Sequence, residues 1–340
     1  MPDTGAFPLK PPMAADRAAS VCVIIPTFRR PEGLATAMRS ICVQTGVSHL
    51  IVCDNSPEAS ARPQVAAFDA PFPVTFLHEP ATGVANARNT AVAACDCAFI
   101  AFLDDDEEAP EGWLAEMVAT QRRFDADVVF GPVTARVPDA GSPHAAYFTH
   151  FFSRFGPEQS GLLPYYYGCG NALLRTAALP SKTPFSVLQN EMGGEDDILF
   201  TAMKADGKVM AWAAEAPVFE DVPPHRAGFS YTLRRGFAYG QGPSHSTGTN
   251  GRFIACAGWM AQGVIQAALF GMASLFAFAI RHPRRAFILD KAARGLGKTL
   301  WFPPFKMKFY GASLLKKRQI AAKPSENDKG LDHDPHQLDA

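Results

Sequence analysis

The chain has 340 residues, 47% of them apolar, and a formal net charge of −1 at pH 7. The apolar fraction is ample for a hydrophobic core and excludes a globally disordered chain. The near-zero charge gives no reason to expect nucleic acid as the main partner. Seven cysteines without a C-x-x-C pair favour buried, reduced thiols over a disulfide scaffold.

Strands and helices alternate along the first part of the chain. Short apolar or β-branched runs predict strands at 21–28, 49–56, 73–79, 98–103 and 126–137. Apolar residues near a 3.6-residue spacing predict helices at 30–44, 62–70, 83–95 and 111–125. This alternation predicts an α/β fold with a parallel sheet and right-handed crossovers, in which ligands bind beyond the carboxyl ends of the strands.

The next stretch is less regular. Residues 138–190 are aromatic-rich and predict irregular structure around "YYYGCGNALLR". Residues 193–212 predict a Gly-Gly turn, a helix with an acidic start and a strand.

Five consecutive acids, Asp104 to Glu108, directly follow the predicted strand at 98–103. Helix starts collect acids, and Pro110 marks such a start, so a solvated helix terminus is one interpretation. The other is a cation site, because Mg²⁺ and Mn²⁺ favour oxygen ligands and usually take one or two protein carboxylates, with phosphates and water completing the shell. Asp54 ends a second strand of the same sheet, so two acidic strand ends converge on one edge.

Six segments together resemble the family 2 glycosyltransferases, whose catalytic domain has the GT-A fold. They occur in the family's order over about residues 20–240: "VIIPTFRRPEGLATAMRSI", "VCDNS", "TGVANARNTA", "FLDDDEEAPEGWL", "GCGNALLR" and "GGEDDILF". Cys53 stands where many members carry a first Asp. The resemblance implies a GT-A nucleotide-sugar-binding fold, a mostly parallel sheet flanked by helices, and an inverting transfer that uses a UDP-sugar with Mn²⁺ or Mg²⁺.

The resemblance also implies roles on the donor side. Asp54 would accept from the N3–H of uracil, with an Asx turn as the alternative, and Asp106 would bind the metal. Arg88 would reach the acids or the diphosphate, with a simple ion pair as the alternative. Asp104 would face the ribose or sugar, while the middle residue, Asp105, would point away. The residues expected to bind the nucleotide sugar are Pro26, Thr27, Arg29, Asp54, Arg88, Asp104 and Asp105.

An inverting transfer needs a carboxylate that takes the proton of the acceptor hydroxyl. By resemblance this base is Asp196, with Glu195 as the alternative because the register is open by one position. A charged helix N-terminus after Gly194 is the structural interpretation of the same acids.

The acceptor side is predicted from two stretches. The aromatic segment "YYYGCGN" can stack on sugar rings or simply pack, and the segment 222–242 carries basic residues that can bind phosphates or face a membrane. The acceptor and phosphate candidates are Gly170, Asn171, Glu195, His225, Arg226, Arg234 and Arg235.

Residues 253–280 contain no charged side chain. As a helix they are long enough to cross a hydrocarbon core of about 30 Å. A single span would export the more basic flank, which the positive-inside bias opposes. We therefore expect a re-entrant pair or in-plane helices, broken near Gly258, Gly263 and Gly271, with 289–309 meeting anionic lipid headgroups. A buried core helix pair is the alternative.

These inferences predict a glycosyltransferase that acts on a polyprenyl-diphosphate-linked saccharide acceptor in bacterial surface or exopolysaccharide synthesis, at the cytoplasmic face of the inner membrane. The succinoglycan-type enzymes are the members it most resembles. A nucleotidyltransferase and a non-catalytic sugar-binding protein are the alternatives. The expected regions are a flexible lead at 1–19, a GT-A domain at 20–225, a membrane-associated helical region at 226–318 and a disordered tail at 319–340.

Overall fold

The computed structural model describes residues 20–190 and 193–307. The predicted flexible lead at 1–19 and the predicted disordered tail at 319–340 lie outside these residues.

Eleven strands are present in the described part of the chain. They are β1 (Val21–Thr27), β2 (Val47–Asp54), β3 (Val74–His78), β4 (Phe99–Phe102), β5 (Glu107–Glu108), β6 (Val128–Phe130), β7 (Val133–Arg136), β8 (Gly161–Leu162), β9 (Ala172–Arg175), β10 (Met210–Trp212) and β11 (Val218–Asp221). Eight form one sheet in the order β3-β2-β1-β4-β9-β6-β10-β8, and three form a small sheet in the order β5-β11-β7. In the large sheet β8 and β9 run antiparallel to their neighbours and the other pairs are parallel.

The helices of the described residues flank this sheet and continue beyond it. They are α1 (Pro31–Cys42), α2 (Arg62–Ala66), α3 (Val84–Ala93), α4 (Trp113–Phe124), α5 (Ala145–Phe152), α6 (Glu195–Ala205), α7 (Phe229–Thr249), α8 (Phe253–Ala279) and α9 (Arg285–Thr299). Pro31 opens α1 at a position where its missing N–H costs nothing. The predicted apolar spacing is confirmed there, since Leu34, Ala37, Met38 and Ile41 are buried.

The core lies on both faces of the large sheet. Along β1, Val23 and Ile25 pack into one apolar cluster, whereas Cys22 and Ile24 pack into the other. Successive strand residues point to opposite faces, so a strand buried on both sides is apolar throughout. This is why β1 is a continuous apolar run in the sequence.

Two predictions for the middle of the chain hold only in part. The run 126–137 is two strands in different sheets, because Pro132 has no N–H to extend the ladder. The stretch 138–190 is not wholly irregular, since it contains α5, β8 and β9. β9 inserts between β4 and β6 and pairs with both, so it carries the loop before it to the carboxyl end of β4.

The predicted break in the apolar segment is wrong, because α8 is one continuous helix of 27 residues. Gly263 serves packing instead: a Cβ atom added there would lie 2.7 Å from the carbonyl oxygen of Gly295 on α9. Among the described residues, α8 alone is long and apolar enough to cross a membrane, judged by length and composition. Only 11% of its most apolar stretch is buried.

Candidate active site

Asp105 ties the end of β4 to the end of β1. Its Oδ2 accepts hydrogen bonds from Thr27 Oγ1 at 2.8 Å and from the Phe28 backbone N–H at 3.2 Å. The side chain is therefore held against the end of β1, whereas the flanking side chains of Asp104 and Asp106 remain partly exposed. Burial raises the pKa of Asp105 to about 6, against the opposing charge of Arg30.

Arg30 is a member of the site that sequence reasoning missed. Its Nη1 lies 2.9 Å from Oδ1 of Asp105 and 2.5 Å from Oδ2 of Asp106. Arg29, which was predicted to bind the donor, instead pairs with Glu58 at 2.6 Å, and both of these side chains are more than a third exposed. A left-handed φ of 53° at Arg29 turns the two neighbouring arginines to different partners. The only sequence signal was the pair of arginines in "TFRRPEG".

A second residue that the sequence did not indicate is Glu220, an acid from the small sheet. Glu220 on β11 pairs in register with Glu107 on β5, and the backbone N–H of Asp221 donates to the carbonyl oxygen of Asp106 at 3.2 Å. Burial, together with repulsion from Asp106 and Asp104, raises the pKa of Glu220 to about 8. The acidic edge of the sheet therefore includes Glu220 as well as the five consecutive acids.

Arg226, a predicted phosphate-binding residue, is near enough to this edge to lower the pKa values of Asp106 and Glu220 through its charge. His225 precedes Arg226 in the connection before α7 and is exposed. The other two basic candidates lie on α7, where Arg234 is exposed and Arg235 donates from Nε to the hydroxyl of Tyr239 at 3.1 Å.

Arg88 connects the acid segment with the start of α6. Its Nη1 lies 2.5 Å from Oε1 of Glu195 and its Nη2 lies 3.2 Å from Oδ1 of Asp104. The Arg88 and Glu195 side chains are each 6% exposed, whereas that of Asp104 is 36% exposed. Arg88 therefore reaches the acids through a buried ion pair, and its contact with the diphosphate stays a prediction. Its Nε atom is buried without a hydrogen-bond partner among the described residues.

Asp196 and Glu195 have different environments although they are neighbours. Glu195 is committed to Arg88, and burial raises its pKa. Asp196 is partly exposed and accepts from the backbone N–H of Cys169 through Oδ2 and from that of Asp197 through Oδ1, both at 3.0 Å. The side chain that remains accessible for proton transfer is Asp196.

The loop 168–170 lies between the two groups of acids. A Cβ atom added at Gly170 would lie 2.8 Å from Oδ2 of Asp104, and one added at Gly168 would lie 3.0 Å from Oδ2 of Asp196. Any side chain at Gly170 would therefore push against a carboxylate of the acid segment. The glycines let the loop approach both carboxylates closely.

Asn171, which was predicted to meet the acceptor, is a buried residue with several structural contacts. It is 0% exposed and has a left-handed φ of 52°. Its Nδ2 donates to the carbonyl oxygens of Pro132 and Ala216 at 2.7 and 2.9 Å, and its Oδ1 accepts from Trp113 Nε1 at 2.7 Å. These partners use both N–H groups of the amide and one lone pair of Oδ1, so Asn171 holds the surrounding backbone in place, and its contact with the acceptor stays a prediction. The neighbouring Gly170 makes a backbone contact, since its carbonyl oxygen accepts a hydrogen bond from Arg154 Nη1.

Asp54 makes the Asx turn that the sequence left open as an alternative. The residue is 0% exposed, and its carboxylate accepts from the backbone N–H groups of Ser56 at 2.8 Å and Ala61 at 2.6 Å. It ends β2 opposite Thr27, which ends β1 next to Pro26. A contact with uracil would add a third hydrogen bond to this buried carboxylate, and it stays a prediction.

The donor set at the edge suits a hard divalent cation. Within residues 20–190 and 193–307, no three His, Cys, Asp or Glu side chains are grouped as a metal site by themselves. Mg²⁺ and Mn²⁺ take one or two carboxylates and complete their shell with phosphate and water. Asp106 and Asp104 offer that number of carboxylates, and burial with neighbouring negative charge raises the pKa of Asp106, so added positive charge would be stabilising.

Comparison with known proteins identifies the family. Residues 22–179 match the family model of Glycosyl transferase family 2. Succinoglycan biosynthesis protein ExoM of Rhizobium meliloti (strain 1021) is 34% identical over 235 residues, which cover 67% of this chain and 73% of ExoM. The chain belongs to glycosyl transferase family 2. The predicted transferase activity and the predicted α/β fold of this family are therefore confirmed.

Other proteins are similar to a smaller part of the chain. The E. coli protein UDP-Glc:alpha-D-GlcNAc-diphosphoundecaprenol beta-1,3-glucosyltransferase WfgD is 31% identical over 102 residues, which cover 30% of this chain and 39% of WfgD. A crystal structure of S. aureus TarS 1-349 superposes with a TM-score of 0.44 and 15% identity, covering 63% of each chain. GalNAc-T7 with UDP, GalNAc and Mn²⁺ superposes with a TM-score of 0.47 and 12% identity, covering 60% of this chain and 44% of that one.

Proposed function

We propose that the protein is an inverting, metal-dependent glycosyltransferase that moves a sugar from a UDP-sugar to a polyprenyl-diphosphate-linked saccharide. The observation that carries the proposal is the position of the loop 168–170, which touches Asp104 on one side and Asp196 on the other. Asp104, one carboxylate of the pair suited to a cation, and Asp196, an accessible carboxylate suited to a base, thus border one loop.

Asp196 acts as the general base. The N–H groups of Cys169 and Asp197 hold its two oxygens, which fixes the direction of the carboxylate without neutralising its charge. Asp196 takes the proton of the acceptor hydroxyl while that oxygen attacks C1 of the donor sugar and the bond from C1 to the diphosphate breaks. The buried pair with Arg88 leaves Glu195 unsuited to this role, which supports Asp196.

The acid segment serves the departing diphosphate. Asp106, with Asp104 beside it, would hold Mg²⁺ or Mn²⁺, which supplies positive charge to the leaving group. Arg88 donates to Asp104 at 3.2 Å and orients that carboxylate from the buried side. Pro26 and Thr27 end β1 next to this segment, and Asp105 joins them to it.

The names of two family members support the choice of substrates. ExoM is named for succinoglycan biosynthesis, and WfgD is named as an enzyme that uses UDP-Glc and a diphosphoundecaprenol-linked acceptor. We extend both to this chain: a UDP-sugar as donor and a lipid-linked saccharide as acceptor, in bacterial surface or exopolysaccharide synthesis. Arg226, through its proximity to the acid edge, is the basic candidate best placed to meet a phosphate.

A lipid-linked acceptor requires the enzyme to work at a membrane, and α8 offers a surface for it. Four large apolar side chains at helical spacing are each at least 58% exposed: Ile265, Leu269, Met272 and Phe276. We call these four residues the apolar stripe of α8. A stripe of this kind, on one face of a helix, suits a helix that lies in the membrane interface.

The packing of α9 opposes a helix that crosses the bilayer. Lys298 on α9 donates to Oε1 of Gln266 on α8 at 2.9 Å, and Lys291 lies 5.1 Å from the ring centre of Phe270. If α8 crossed the hydrocarbon core, these ammonium groups would enter it alongside the helix, at a cost of a few kcal/mol each. We therefore infer an in-plane α8 at the cytoplasmic face of the inner membrane, with the lysines of α9 toward anionic headgroups.

The membrane surface is tested by sedimentation with vesicles of phosphatidylethanolamine and phosphatidylglycerol. Leu269→Asp with Met272→Asp should lower the bound fraction several-fold, because two charges enter the apolar stripe. Leu188→Asp is the matched control, since Leu188 is 83% exposed but lies in a connection before α6. Equal binding of the stripe variant and the control would contradict the in-plane model.

The reaction is tested by release of UDP from a panel of UDP-sugars, with and without Mn²⁺ and with lipid-linked saccharide acceptors. We expect release that requires both Mn²⁺ and an acceptor and that falls sharply in Asp196→Asn. A nucleotidyltransferase would instead release pyrophosphate from a nucleoside triphosphate. A sugar-binding protein without activity would release neither product.

A further inference from the structure

The guanidinium of Arg30 lies against the carboxylates that the proposed function assigns to a cation. A single nitrogen, Nη1, is within hydrogen-bond distance of both Asp105 and Asp106. The Arg30 side chain is 32% exposed, whereas those of Asp105 and Asp106 are 9% and 18% exposed. The arginine therefore approaches two largely buried carboxylates from the solvent side.

Arg30 offsets repulsion within the acid segment. Asp104, Asp105 and Asp106 are consecutive, and Glu220 adds a fourth carboxyl group from β11. Arg88 pairs with Asp104 and not with the other two aspartates, so Arg30 is the cation in direct contact with Asp105 and Asp106 among the described ion pairs. Removing its charge would leave these two carboxylates to repel each other at short range.

The Asp106 oxygen that Arg30 contacts belongs to the side chain expected to hold the metal. Arg30 and a bound cation would compete for this carboxylate, because the charge-assisted hydrogen bond and the metal bond use the same lone pairs and the same space. The partly exposed arginine side chain can swing into solvent, whereas Asp106 belongs to the short turn after β4. The mobile partner is thus the arginine.

We propose that Arg30 is the resident counter-ion of the acid segment and that a divalent cation displaces it from Asp106. This inference rests on the proposed function, because it takes Asp106 as the metal-binding residue. Arg30 is then a positioning residue: it keeps the acids neutralised before the donor binds and lowers the affinity of the site for a bare cation. The site would admit the metal most readily together with a nucleoside diphosphate, whose negative charge receives the released arginine.

Binding of Mn²⁺ alone, measured by calorimetry without nucleotide, tests the proposal. Arg30→Gln should lower the Kd for Mn²⁺ about tenfold, because one competing positive charge is removed from a partly buried site. Arg29→Gln is the matched control, since Arg29 pairs with exposed Glu58 instead. The control should leave the Kd within about twofold, since a charge with an exposed partner is well screened.

A thermal unfolding series gives a second readout. Without metal, Arg30→Gln should unfold at a lower temperature than Arg29→Gln, and saturating Mn²⁺ should raise its unfolding temperature more than that of the wild type. If Arg30→Gln does not fold, Arg30→Lys carries the test. Lysine keeps the charge, but its ammonium is more strongly hydrated than a guanidinium and a cation displaces it more easily, so a Kd below that of the wild type is expected.

The failures of this inference and of the proposed function are distinguishable. Equal or weaker Mn²⁺ binding by Arg30→Gln, with normal binding by the wild type, overturns the counter-ion role and leaves the metal site intact. Absence of Mn²⁺ binding in both proteins overturns the counter-ion role together with the metal-dependent part of the proposed function.

Discussion

Arg88 and Glu195 form a buried ion pair 2.5 Å long that joins α3 to the first turn of α6. The pair places the start of α6 beside the acid segment, because the second nitrogen of Arg88 donates to Asp104. Since both partners are almost fully buried, neither charge can be solvated if the other is removed. The relative position of the proposed base and the proposed metal ligand therefore depends on this pair.

Glu195→Ala should lower the free energy of unfolding by about 3 kcal/mol, because it leaves a buried guanidinium with a single charged partner. Urea unfolding followed by circular dichroism measures this loss. Asp197→Ala is the control, since Asp197 is exposed at the same helix start, and it should change stability by no more than about 0.5 kcal/mol. Equal losses in the two variants would show that Glu195 is not the residue that holds Arg88.

Asp196→Asn should lower kcat by roughly two to four powers of ten while the affinity for the donor is kept, because the amide retains the contact with Cys169 but cannot accept a proton. Transfer kinetics with a UDP-sugar and a lipid-linked acceptor measure the change. Asp197→Asn should retain nearly full activity. A larger loss in Glu195→Gln than in Asp196→Asn, at equal stability, would move the base to Glu195.

Gly170→Ala should lower both stability and turnover, since the added Cβ would lie 2.8 Å from Oδ2 of Asp104. Overpacking of this kind costs about 1–3 kcal/mol. Gly161→Ala is the matched control, because a Cβ at Gly161 would meet no atom within 4 Å. Thermal unfolding and UDP release measure the two effects. Wild-type values for Gly170→Ala would contradict the close approach of the loop to Asp104.

Glu220 should make stability depend on pH. Its folded-state pKa is raised from the ordinary 4.5 to about 8, so between these values the folded protein keeps a proton that the unfolded chain has lost. Stability contributed by this group is therefore complete below pH 4.5 and falls as the pH rises toward 8, by at most about 1.4 kcal/mol per unit. Urea unfolding from pH 5 to 8 should show a shallower decline for Glu220→Gln than for the wild type. Parallel slopes would contradict the raised pKa.

Hydrophobic pattern and acid placement were sufficient to predict the first half of the fold. The apolar runs before Asp54 and Asp104 predict β2 and β4, and the carboxyl ends of parallel strands necessarily meet at one edge. Short strands were harder. The four residues of β9 carry too little pattern to be distinguished from a loop, although β9 brings the loop 168–170 to the site.

Side-chain direction was the part of the site that sequence could not supply. The motif around Asn171 identifies a loop, but it does not show that the backbone at that residue is left-handed or that the amide accepts from Trp113 Nε1. The choice between Arg29 and Arg30 depends on the same kind of local turn. Glu220 was missed because nothing in the sequence shows that β11 lies beside the acids. The strand that joins them, β5, has only two residues and is recognised only by its pairing with β11.

In the proposed mechanism Asp106 holds the cation beside the departing diphosphate and Asp196 is the base, while the loop 168–170 lies against both Asp104 and Asp196. The most direct test is a crystal structure with Mn²⁺ and UDP, in which anomalous scattering locates the metal. We expect a manganese peak bonded to a carboxylate oxygen of Asp106 and to the diphosphate, with Asp196 facing the open side of the diphosphate. Well-ordered UDP with no manganese at Asp106, or a diphosphate remote from Asp196, would contradict the proposed mechanism.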